Sequence, residues 1–220
     1  MPSTVVHVAV AGLIGVALLG KYFDTRAIVV VMAVTALIDL DTLLGIYISG
    51  GHRAIGHNLF VVLLPTLVLL WDVKLREESY VLERWGRYGY RVAWVSLFAL
   101  LFAHVLLDAF YNGVNLFWPL YDRFLDLSGD LYISDQEGFV QTFVEIESGE
   151  DGTTTVDEDT DRGGTDDTHY RTGFDPGDDV PEDHERKFWL AERGELFVIS
   201  VAGYLTVLGR IAMEYRGDEE

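Results

Sequence analysis

AHVLLDAFYNGVNLFWPL, residues 103–120, sets a histidine and a carboxylate four residues apart inside an apolar run. On a helix His104 and Asp108 share a face, one turn apart. Ionisable groups at membrane depth are expensive to bury without partners, and metal ligation satisfies an imidazole and a carboxylate together. The stretch therefore predicts a membrane helix that carries part of a functional site, and the remaining spans are read for the partners of this pair.

Composition supports a membrane chain. Half of the 220 residues are apolar, and they fall in long runs. Cysteine is absent, which excludes disulfides, thiolate metal sites and cysteine nucleophiles, and leaves His, Asp and Glu as the strong ligands. The net charge of -19 is concentrated in residues 121–195, where 23 acidic residues face 6 basic ones, a local net of -17. With 3 Lys among 16 basic residues, this acidity reads as a salt-adapted, halophilic surface of archaeal type, not as a device for holding a cation. It also argues against nucleic acid as a partner, because phosphate contacts need cations.

Five apolar runs predict an all-α integral membrane protein of about five transmembrane helices: residues 5–20, 27–48, 59–71, 92–110 and 196–213. Residues 1–120 form the membrane core that carries the site. Residues 121–195 form an acidic extramembrane insertion, partly disordered, in which 131–146 alternates enough for a short hairpin and 147–185 reads as a mobile loop. Residues 196–220 supply the last helix and a charged tail. His169 and His184 read as solvent-exposed.

Polar residues interrupt the runs at particular places. His7 lies near the start of the first. Asp39 and Asp41 lie two apart late in the second, on different faces of a regular helix, so a shared site requires the helix to depart from regularity there. SGGHRAIGH, residues 49–57, places His52, Arg53 and His57 on a glycine-rich turn suited to ligation and anion binding. The segment DLDTLL also matches the DxDx(T/V) nucleophile motif of haloacid-dehalogenase phosphatases, but that motif needs a soluble doubly wound domain, which nothing else here provides.

Orientation follows from Lys and Arg alone. Residues 72–91, read as a surface helix or loop, carry Lys74, Arg76, Arg84, Arg87 and Arg91, which places this connector in the cytoplasm. The N-terminus, the 49–57 turn and the acidic insertion then fall outside, and the C-terminus inside. His7, Asp39, Asp41, His52, His57, His104 and Asp108 all come to one depth near the outer face. By spacing and depth these residues predict a divalent metal site, zinc first, that takes some of them and keeps a position for water.

Laid out in order, the motifs resemble those of the YdjM-type family of membrane-bound metal-dependent hydrolases. That family has an early histidine, a PDxDH segment, a GHRGxTHS turn, and an H-x-x-x-D helix leading into G-V-x-L-x-W-P. The matching positions are His7; Asp39 to Thr42; Gly51 to Asn58; and His104 to Asp108 followed by Gly113, Val114, Leu116, Trp118 and Pro119. The family's proline before the first Asp is Ile38 here, its histidine after the second is Thr42, and its Thr and Ser around the second turn histidine are Gly56 and Asn58. The order is also similar to that of the helical zinc-dependent phospholipase C and nuclease superfamily, which implies phosphoester hydrolysis with one or two metal ions.

Together these readings predict a hydrolase acting on a lipid ester or phosphoester, with Asp39 as a catalytic carboxylate, Arg53 steadying the phosphate, and the bilayer as its surrounding partner. The rival from another class is a non-catalytic membrane protein, a metal or ion carrier or a scaffold, since polar residues at one depth also line ion paths. A third reading makes the acidic insertion the functional module, but it lacks core-forming residues.

Overall fold

A computed structural model describes residues 2–46, 53–144, 146–148, 154–156, 160–168 and 188–217. The chain is mostly helical and divides into two compact units.

The first unit comprises Pro2–Asp39, Leu59–His104 and Trp189–Glu220. It holds α1 (Thr4–Leu19), α2 (Thr25–Leu37), α3 (Phe60–Lys74), α4 (Tyr80–Ala99) and α6 (Gly194–Gly217). α1 packs against α2, α4 and α6, and α3 packs on α4. The core between them is built from small and branched side chains, among them Ala11, Ile28, Val31, Val95, Ala99 and Val207. Lipid is as apolar as these side chains, so the helices are held by close packing and not by escape from water. Gly203 shows how close: a Cβ there would stand 2.6 Å from the Ala9 carbonyl oxygen. Outward faces are apolar too. Leu64, Leu67 and Val68 on α3 and Phe197, Val198, Leu205 and Leu208 on α6 are exposed, which suits a bundle surrounded by hydrocarbon.

Among the described residues three helices are long and apolar enough to cross a bilayer: Thr4–Tyr22, Tyr80–Tyr111 and Gly194–Gly217. They match the predicted first, fourth and fifth spans. The fourth starts well before residue 92 because its N-terminus is doubly capped. Ser79 Oγ accepts from Leu82 N at 3.2 Å, and the Asp72 carboxylate accepts from the N–H groups of Tyr80 and Val81 at 3.0 Å each. Of the two readings of the 72–91 connector, helix holds for much of it, broken at Gly86, whose φ of 63° and ψ of -158° suit a residue without a Cβ. α2 stops at Leu37 and the chain continues as a 3-10 helix over Ile38–Ile46. This is the departure from regularity that the Asp39 and Asp41 spacing asked for.

The second unit comprises Leu40–Asn58 and Val105–Phe188. It holds α5 (Leu106–Tyr111) and two antiparallel hairpins, which an all-α reading omits: β1 (Leu131–Ser134) with β2 (Gly138–Gln141), and β3 (Ile146–Ser148) with β4 (Thr154–Val156). The first is the predicted hairpin. Its register pairs Leu131 with Gln141 and Ser134 with Gly138, and the three-residue loop closes on Gly138 at φ 75°. Where composition predicts a mobile loop, part of the segment is built in. Phe124, fully buried, donates its N–H to Gly163 O at 2.8 Å and accepts from Arg162 N at 2.9 Å, and Asp126 N donates to Thr160 O at 2.9 Å. His169 and His184 lie outside the described residues.

Candidate metal centre

In the helical unit, three elements deliver three candidate ligands of two types, two imidazoles and a carboxylate. α1 places His7 on its buried side, 1% exposed. His104 falls in a π-helical turn, Leu100–Val105, between α4 and α5, and is fully buried. Such turns are uncommon and cluster at functional sites. Asp39 comes from the start of the 3-10 helix. The His7 ring stacks on the His104 ring with centroids 4.1 Å apart and planes at 28°. His104 Nε2 is 3.4 Å from Asp39 Oδ1. One ligand atom from each of His7, Asp39 and His104 lies within 4.8 Å of the other two.

The donor chemistry fits a divalent metal. His7 Nδ1 lies 2.7 Å from the Ala103 carbonyl oxygen, and a carbonyl only accepts, so Nδ1 carries the proton and Nε2 is the basic nitrogen. A histidine anchored by one nitrogen on a carbonyl and ligating through the other is the usual arrangement at metal sites. Asp39 is anchored likewise, because the Thr4 hydroxyl donates to its Oδ2. Two imidazoles and a carboxylate, without sulfur, suit zinc and its first-row neighbours. Thr4 is a residue that the sequence reading missed. The available signal was its position one helical turn before His7, on the same face.

The second unit gathers the other candidates. Asp41 Oδ2 accepts from Arg53 N at 3.2 Å, Gly56 N at 3.0 Å and His57 Nδ1 at 2.9 Å, so one carboxylate oxygen organises the whole 53–57 turn. Asn58 closes it by donating Nδ2 to the carbonyls of Ala54 and Ile55 at 2.7 and 2.9 Å. His57 Nε2 lies 3.2 Å from Asp108 Oδ2, and Arg53 Nη2 lies 3.3 Å from Asp108 Oδ1. Arg53 is fully enclosed, donates from Nη1 to Gly113 O at 3.2 Å, and has φ 65°, the one positive φ at a non-glycine among the described residues. That conformation costs about 1 kcal/mol or more and persists where surroundings enforce it. Here the enforcement is visible: Arg53 N is held by Asp41 and Arg53 O accepts from Asn115 N at 3.1 Å. Asp41 thus orients His57 through Nδ1 and directs Nε2 to Asp108, a carboxylate–histidine pair of the kind that tunes metal ligands.

Of the seven predicted ligands, the structure brings together His7, Asp39 and His104 in one unit and Asp41, His57 and Asp108 in the other. His52 lies outside the described residues. Two further polar residues of the second unit, Asn115 and Asp122, were assigned no role from sequence. Asn115, fully buried, donates Nδ2 to Asp122 Oδ1 at 2.5 Å. Burial raises the Asp122 carboxyl, but hydrogen bonds from the Thr165 side chain, Asn115 and the Thr165 N–H, with Arg123 nearby, outweigh it and leave the group below the usual carboxylate range.

Residues 1–153 match the YdjM inner membrane protein family. The chain belongs to that family. The match covers more than half of the chain, includes every candidate ligand, and runs past Pro119 into the acidic segment. In this YdjM-family protein the outward apolar helices and the family agree on a membrane location, and the His and Asp groups can hold a metal ion. Curated proteins and solved structures offer no match.

Proposed function

We propose that this YdjM-family protein is a membrane-bound, metal-dependent hydrolase acting on an ester, of which a lipid phosphoester is the best-fitting class. The observation that carries the reading is the trio of buried His7 and His104 with the partly exposed Asp39, ligand atoms inside 4.8 Å of each other and both histidines on helices apolar enough to span a bilayer. Ionisable groups are too costly there to be kept without a task. Zinc is the proposed ion. When bound, such an ion lowers the pKa of a coordinated water toward about 7 and polarises the scissile group.

The chain's own residues do the rest. His7 and His104 present imidazole nitrogens, with His7 held by Ala103 O. Asp39, whose side chain is 20% exposed, is the most accessible carboxylate of the set and the proposed proton acceptor from water, steadied by Thr4. His57 and Asp108 are the proposed pair for a second ion, with Asp41 orienting the ring. What supports a role for Arg53 is its hold on Asp108; steadying a phosphate is the further step this proposal makes.

Five spans with the site outside complete the proposal. α2 with its 3-10 continuation covers Thr25–Ile46, whereas α3 at 15 residues reaches about 22 Å, short of a bilayer's ~30 Å unless flanking residues contribute. The basic connector supports a cytoplasmic C-terminus, with the acidic insertion on the opposite side. The test is turnover of a synthetic phosphodiester by the detergent-purified protein, with and without a chelator. Zinc-restored activity after chelation supports the hydrolase; bound metal without turnover of any ester moves the reading to a metal carrier.

A further inference from the structure

A cleft in the helical unit has a character opposite to the rest of the molecule. Tyr22, Lys74, Leu82, Arg87, Tyr90 and Arg91 line an open cavity of about 420 Å³, completed by Val73. In a chain of net charge -19, this lining contains three cations and no carboxylate. Tyr22 stands fifteen residues beyond His7 on the same helical stretch, about 22 Å along its axis, so the cleft is remote from the metal ligands.

The cations are available. Among the described residues neither Lys74 nor Arg87 has an ion-pair partner. Asp72, the acid nearest to Lys74 in sequence, is occupied by Arg76 at 3.0 Å, Ser79 Oγ at 2.6 Å and the N–H groups of Tyr80 and Val81. Glu83 precedes Arg87 by four residues, but the break at Gly86 stands between them and removes the shared face of a regular helix. Arg91 donates Nε to Leu18 O at 2.8 Å, which fixes the direction of its guanidinium. Lys21, 5.2 Å from the Tyr22 ring centroid, adds a further positive charge at the rim.

We propose that this cleft binds the phosphate of an anionic phospholipid headgroup. Phosphate accounts for the three cations. The apolar surroundings point to a lipid as its source: Val73 and Leu82 lie in the lining, and Trp71, Leu75 and Trp85 stand 53%, 77% and 51% exposed around the same α3–α4 connection. Aromatic and basic residues mixed on one surface are what the headgroup level of a bilayer selects, and basic pockets between helices on the cytoplasmic side hold anionic headgroups. The segment is also the one that the charge rule places in the cytoplasm, beside the anionic leaflet. The inference stands whether or not the metal site hydrolyses anything.

The test uses the full chain in nanodiscs of equimolar phosphatidylcholine and phosphatidylglycerol, re-extracted in mild detergent, with retained lipid counted by native mass spectrometry. Phosphatidylglycerol is expected to be retained over phosphatidylcholine, and excess inorganic phosphate to leave it bound. A Lys74→Gln, Arg87→Gln variant is expected to lower that preference about 25-fold, at about fivefold per charge removed. Lys74→Arg with Arg87→Lys is expected to keep it. Both side chains are exposed, so the fold tolerates the changes, and Lys74→Gln alone repeats the test at about fivefold. Equal retention of the two lipids, or an unchanged preference in the Gln variant, overturns the proposal. So does displacement by inorganic phosphate, which would make the cleft a site for free anions.

Discussion

The two units use the same residue types for different work. In the helical unit, His7, Asp39 and His104 arrive from three separate elements, and their anchors, Ala103 O and the Thr4 hydroxyl, are local and neutral. In the second unit, Asp41, Arg53, His57 and Asp108 are bound to each other: one carboxylate oxygen takes three donors, and the arginine spans Asp108 and Gly113. The first group is a set of donors with a common focus. The second is a turn locked by hydrogen bonds and an Arg53–Asp108 ion pair, in which His57 and Asp108 are the proposed ligands. Polar residues of the same types are therefore not equivalent, and their anchors separate the proposed donors of the first group from the scaffold of the second.

The comparison breaks most visibly at His104. His104→Ala removes a donor at the focus, and hydrolysis is expected to fall by more than about a hundredfold, since even indirect partners of metal ligands cost tenfold to a hundredfold. The insertion and fold of the variant are checked by circular dichroism. Arg53→Ala tests the other group through stability. It leaves Asp108 with a lost cation in an enclosed site and is expected to cost about 3–5 kcal/mol in detergent denaturation, because breaking a buried pair strands a charge. An Arg53→Ala protein as stable as wild type would mean that the second unit is not held as described.

Thr4→Val is the sharper probe of the first group. It removes the hydroxyl that orients Asp39 while keeping volume, and is expected to weaken metal affinity by about 10- to 100-fold, with the fold unchanged. A zinc titration against a competing chelator reads it. The smallest effect concerns Asp122, which, among the described residues, meets the second group only through Asn115. Its folded pKa is depressed, so it contributes stability that is present above the unfolded value of about 3.9 and is lost as pH falls through the folded value. Acid unfolding is therefore expected to lose one component in Asp122→Asn, which removes the titrating group. An identical acid limb in the variant would show that the hydrogen bonds from Thr165 and Asn115 do not set that pKa.

Much of this arrangement was legible in sequence where the signal is periodic or compositional. The three longest helices, the hairpin after residue 131 and the polar residues in apolar runs all follow from local pattern. The change from α to 3-10 at Ile38 was legible only as a requirement, from two aspartates that a regular helix would set on different faces. The π turn at His104 was not legible at all, since it depends on how helices pack and leaves no local motif. Neither was the placement of Arg53. Its charge suggested an anion binder, and the turn built on Asp41 draws it fully inside. The 160–168 segment was hidden by composition: Asp, Thr and Gly predict a mobile loop, but backbone hydrogen bonds to Phe124 and Asp126 hold it without many apolar side chains.

The most direct test of the account is metal content by elemental analysis of the purified wild-type protein beside His7→Ala, with folding verified in both. About one or two zinc ions per chain in the wild type, with at least one lost in His7→Ala, is the expected result for a centre built on His7, Asp39 and His104. A folded wild type that takes up no divalent metal, or a His7→Ala protein that holds as much as the wild type, would contradict it.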